Sequence, residues 1–156
     1  MTTLHASGAP GTGKLHWSRI VGGAFLLELV LFAVLVPVGL TFGMPGAPGA
    51  TDFTVFFIAV PVGCLVAGYA ISARIFRRTF TRHALHGALL GVTATLLYLA
   101  ICAVQPGGIP AVIAGYGALL FWASQALRIA GCVLGASHGG RKDSPRGDRI
   151  LETAAH

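Results

Sequence analysis

The stretch IVGGAFLLELVLFAVLVPVGLTF, residues 20–42, runs for 23 residues with Glu28 as its only ionisable side chain. A helix of about 20 apolar residues crosses the hydrocarbon core of a bilayer, so this stretch reads as a membrane span. A carboxyl inside such a span is costly and marks either a functional site or a structural ion pair. Lys14 and Arg19 precede the run and the small residues Ala47-Pro48-Gly49 follow it, as in a cleaved signal peptide. Signal cores, however, extend over only about 7–15 residues. The expectation is an uncleaved first helix.

The rest of the chain has the same character. It has 156 residues, of which 54% are hydrophobic and 10% charged, with a mean hydropathy of +0.76. Soluble domains carry about 25% charged residues. Three further apolar runs follow, at 53–73, 84–104 and 109–137, the last holding Arg128 as its single charge. The expected fold is all-α: a four-helix transmembrane bundle of antiparallel hairpins over residues 20–137. Residues 1–19 read as a mobile lead and 138–156 as a disordered basic tail. At 29 residues the fourth run exceeds the width of the bilayer core, so it is expected to tilt or to continue into the interface.

The net charge of +6 does not point to nucleic acid, because ten of the eleven Lys and Arg residues lie outside the apolar runs. They fall in three clusters, all on one side of the membrane if the four runs each cross it. The positive-inside rule then places both termini and the loop 74–83 in the cytoplasm, in a plasma membrane of bacterial type. In that loop Arg74, Arg77, Arg78 and Arg82 face anionic lipid headgroups, and Phe76 and Phe80 would meet the acyl boundary if the segment is an interfacial helix. A plain basic loop is the alternative.

Small residues recur at four-residue spacing: Ala59, Gly63 and Ala67 in the second run, Gly87 and Gly91 in the third, Gly131 and Gly135 in the fourth. Such stripes let helix backbones approach closely, and they nominate this chain's own helices, a second copy or a partner membrane protein as the surface they meet. The segments Gly63–Gly68 and Gly131–Ala136 also echo each other 68 residues apart, the pattern of a parallel repeat.

Little chemistry is available. No nucleophile elbow, phosphate loop, zinc signature or paired carboxylates occur in the sequence, so neither an enzyme nor a cofactor is expected. His83 and His86 lack a third metal ligand, and Cys64, Cys102 and Cys132 read as small packing residues. Glu28 and Arg128 remain. At ~1.5 Å per residue, Glu28 lies ~12 Å inside its span, and Arg128 ~28 Å along the fourth run, near the cytoplasmic edge. Side chains lean toward the N-terminus of their helix, so on oppositely directed spans these two lean toward each other. A buried ion pair joining the first and last spans is the expectation.

Gly22-Gly23-Ala24-Phe25-Leu26-Leu27-Glu28 resembles the first-helix segment of the small multidrug resistance transporters. Pro61-Val62-Gly63 and Tyr69-Ala70-Ile71 are similar to that family's second-helix motif at a different spacing, and the basic loop and tail are additional. The resemblance implies a proton-coupled exporter of lipophilic cations with Glu28 as its coupling carboxyl. A second likeness, over Gly63-x-x-x-Ala67-Gly68 to Ala73-Arg74 and Leu85-His86-Gly87-Ala88-Leu89-Leu90-Gly91, is to small four-helix bacterial membrane proteins of uncharacterised role. It implies architecture alone. The reading favoured from sequence is a non-enzymatic accessory protein that docks another membrane helix, with the exporter as alternative.

Overall fold

The computed structural model of the chain describes residues 16–42, 54–77 and 82–141. The expected lead up to Lys14, the 43–53 loop, Arg78 with Phe80, and the tail beyond Arg141 lie outside the described residues. Among the described residues the chain is all-helical, with α1 over Trp17–Phe42, α2 over Thr54–Ile75, α3 over His83–Ala103, α4 over Gly108–Tyr116 and α5 over Ala118–Arg141. Four of these are long and apolar enough to cross a membrane: Trp17–Phe42, Phe57–Ile75, His83–Ala103 and Ala118–Gly140.

The fourth apolar run departs from its expectation. It neither tilts as one piece nor spans as one helix, because the chain breaks at Gly117. Its φ of 82° and ψ of 136° are reached by glycine without a Cβ penalty. Gly107 and Gly108 at the other end of α4 also have positive φ, at 82° and 61°. Alpha4 is thus a nine-residue helix between glycine joints, with no buried residue of its own. Helix α5 is by itself long and apolar enough to cross, over Ala118–Gly140, and it continues to Arg141, beyond the expected start of the tail.

The exterior is apolar. Leu29 is 66% exposed, Leu40 79% and Leu119 86%, a distribution that fits contact with lipid rather than water. The interior holds Ile20, Ala24, Leu27 and Leu31 of α1, spaced three or four apart so that they share one face. With them lie Cys64, Ile71, Leu90, Ala94, Cys132 and Ala136.

Neighbours around the bundle follow the order α1, α2, α5, α3. Helix α2 packs most extensively on α5, and α3 also packs on α5, whereas the consecutive helices α2 and α3 barely meet. The two expected hairpins, α1 with α2 and α3 with α5, are packed pairs, while α2 and α3 sit diagonally. The glycines are the physical reason. Cβ atoms on Gly131, Gly135 and Gly139 would collide with the backbone of Leu65, Tyr69 and Ala73. Each pair is 66 residues apart, so α2 and α5 lie parallel and backbone to backbone along the two echoing segments. Gly87 abuts Cys132 and Ala136, and Gly91 abuts Ile129, which sets α3 antiparallel against α5.

Ser72 joins this seam, its hydroxyl donating to the carbonyl oxygen of Cys132 at 2.6 Å from a fully buried position. Interhelical hydrogen bonds in membranes average about 0.6 kcal/mol and reach about 1.7 kcal/mol. Ser72→Ala is expected to lower stability within that range, read by reversible unfolding in mixed micelles.

Candidate functional site

The diagonal of the bundle is bridged by one pair of side chains. Arg128 of α5 donates from Nη1 to Glu28 Oε1 at 2.5 Å and to the Ala94 carbonyl oxygen at 3.3 Å. Nη2 lies 3.8 Å from Cys64 Sγ, and the guanidinium carbon stands 4.9 Å from the centre of the Tyr98 ring, a cation–π contact. These four neighbours come from α1, α2 and α3, so that with Arg128 on α5 all four long helices meet here. Arg128 is 3% exposed and Glu28 4%.

The break at Gly117 changes where Arg128 falls along its helix. Counted from Ala118 rather than from residue 109, it lies ten residues along α5, or ~15 Å, while Glu28 lies eleven residues along α1, or ~16 Å. Both charges sit near the middle of their helices. The count differs because residues 109–116 belong to α4 and not to the helix that carries Arg128.

A cavity of about 220 Å³ opens above the pair. Glu28, Gln125 and Arg128 form its floor, Phe32, Tyr98 and Phe121 stand in its walls, and Val112 and Tyr116 of α4 cover it on one side. Gln105, in the turn between α3 and α4, marks the end of the cavity remote from Arg74 and Arg82. The polar floor is incompletely satisfied. Arg128 Nε and Gln125 Oε1 are buried without a hydrogen-bond partner, whereas the hydroxyls of Thr93 and Ser124 donate within their own helices to Leu89 O and Leu120 O.

The other residues singled out in the sequence are placed elsewhere. Gly87, Gly91, Gly131 and Gly135 are all turned into seams between this chain's own helices, so they leave no glycine face free for a partner. Gly63 is not a close approach, since a Cβ there would meet Leu31 and Leu35 at 3.8 and 4.0 Å; Gly68 is, since a Cβ there would stand 2.9 Å from the Arg128 carbonyl oxygen. Ala67 packs at the edge of the core. Arg74, Arg77 and Arg82 are exposed at the end of the bundle where α2 finishes and α3 begins. Phe76 does not lie at an acyl boundary: it is fully buried, with its ring 5.5 Å from that of His86. No cluster of three metal-ligating side chains occurs among the described residues.

Gln125, Tyr98 and Ser72 were not foreseen as site or seam residues. A signal for Gln125 was present, because Gln125 and Arg128 stand three apart and so share one helix face inside an otherwise apolar run. Comparison with protein families, with curated proteins and with solved structures gives no match to the chain.

Proposed function

We propose that this chain is a non-enzymatic, multipass protein of a bacterial-type plasma membrane that holds a small amphipathic molecule between its helices. The cavity carries this reading: an apolar chamber ending on a buried Glu28–Arg128 pair matches a molecule with an apolar body and a polar end. The ten basic residues that the sequence places in the two termini and the 74–83 loop support an orientation with both termini cytoplasmic, and the cavity would then open toward the outer face. A helix-docking role would use the exposed apolar face of α1, which lipid also covers, so the cavity supports the binding reading better.

The test is thermal unfolding of the purified protein in detergent with a panel of short-chain amphiphiles. A ligand that binds only the folded state raises the transition temperature in proportion to its occupancy. Val112→Trp fills the cavity from α4, a helix without buried residues, and is expected to abolish protection while leaving the unliganded transition near that of the native protein. Equal protection of the native and filled proteins would sink the reading.

A second reading, the proton-coupled exporter, is favoured by one observation: the Glu28 carboxylate lines the same chamber as Phe32, Tyr98 and Phe121, the surroundings of a bound lipophilic cation. Its mark is tetraphenylphosphonium binding that weakens as Glu28 takes up a proton and disappears in Glu28→Gln/Arg128→Met. Binding insensitive to both removes it.

A further inference from the structure

The floor of the cavity specifies the head of its occupant. Arginine offers five N–H donors in a rigid fork. At Arg128 both strong contacts, to Glu28 and Ala94, are made by Nη1; Nη2 has only a sulfur neighbour, and Nε has no partner. Three residues earlier on the same helix face, Gln125 is 5% exposed and its Oε1 accepts nothing. Buried polar atoms ordinarily find partners, and here an orphan donor and an orphan acceptor line one chamber.

Charge narrows the class further. Glu28 and Arg128 neutralise each other, and the described lining of the chamber carries no third charge. A cationic head would have to draw Glu28 from Arg128, leaving a guanidinium that cannot lose its charge alone in an apolar interior. An anionic head would bring a second negative charge to the one arginine that already neutralises Glu28, leaving the chamber with a net charge unless one of the two acids takes up a proton. A neutral head that accepts from Arg128 and donates to Gln125 costs neither. We infer that the chamber lined by all five helices binds a neutral single-chain amphiphile whose head both donates and accepts hydrogen bonds, as a primary amide or an alcohol does.

This inference rests on the binding reading above and adds the ligand class to it. The probes are dodecanamide, methyl dodecanoate, which accepts but cannot donate, and dodecyltrimethylammonium. Affinities are taken as mole fractions in dodecylmaltoside micelles, by thermal shift and by native mass spectrometry of the full chain. The native protein is expected to prefer the amide over the ester by about tenfold or more, the effect of leaving one buried acceptor unpaired. In Gln125→Leu, which removes that acceptor and no existing hydrogen bond, the preference is expected to vanish while the ester binds as well as before. Equal affinity for amide and ester in the native protein, or a preference that survives Gln125→Leu, overturns the inference. Tightest binding of dodecyltrimethylammonium overturns it too but leaves the binding reading standing, whereas no protection by any of the three takes both away.

Discussion

Glu28→Gln is expected to cost about 3–5 kcal/mol of stability, the range for removing one partner from a buried pair. The size follows from what remains. Without the carboxylate, Arg128 keeps the Ala94 carbonyl, the Tyr98 ring and a thiol, none of which carries a compensating charge. Arginine stays protonated whatever its surroundings, so this charge cannot be relieved. The reciprocal change, Arg128→Gln, is expected to cost less, because a carboxyl left alone can take up a proton and become neutral. Removing both charges in Glu28→Gln/Arg128→Met should restore most of the loss, since buried pairs are often replaced by neutral side chains at little cost. Unfolding in mixed micelles measures all three variants as one double-mutant cycle. If both single variants melt with the native protein, the pair contributes nothing and the account of the diagonal fails.

The second large effect is steric. Gly135→Leu is expected to abolish the folded state, with a cost above about 3 kcal/mol, the upper end of ordinary overpacking. At this position the obstacle is the backbone of Tyr69, not the end of a flexible side chain, and a backbone moves only if the whole of α2 moves. Gly131→Leu meets the carbonyl of Leu65 in the same way. Gly22 provides the contrast, because a Cβ there has nothing within 4 Å; Gly22→Ala should be neutral or gain up to about 1 kcal/mol from helix propensity. Size-exclusion profiles in mild detergent separate the outcomes. A monodisperse Gly135→Leu protein would show that α2 and α5 are not held at backbone contact.

The long helices were legible because a span is a property of local composition. Trp17–Phe42 and His83–Ala103 match their runs to within a few residues, since nothing in a uniformly apolar segment competes with the helix once lipid removes water as a hydrogen-bond partner. The lean of Glu28 toward Arg128 was also readable from the direction of the two helices. What could not be read was lateral order. Glycine stripes announce close approach without naming the partner, so the parallel seam of α2 on α5, and the diagonal placement of α2 against α3, depend on shape complementarity over the whole surface. Gly117 was hidden for a different reason. Glycine is tolerated inside membrane helices, so Gly115, Gly117 and the aromatic Tyr116 between them gave no boundary, although only one of the two glycines adopts positive φ. The cavity followed from that break, and with it the role of Gln125, whose position in the run could be seen but not its lack of a partner.

The pair on the diagonal also has a consequence in time. Glu28 and Arg128 are one hundred residues apart in the chain, and synthesis delivers the first helix to the membrane long before the last. Throughout that interval the carboxyl lacks Arg128, and it gains this partner only when α5 is made. A chain that stops after α4 would retain every apolar feature of α1 and still carry an unmatched acid at mid-depth. The ion pair therefore forms only once α5 is present and distinguishes a chain that includes α5 from one that stops short of it by a local charge.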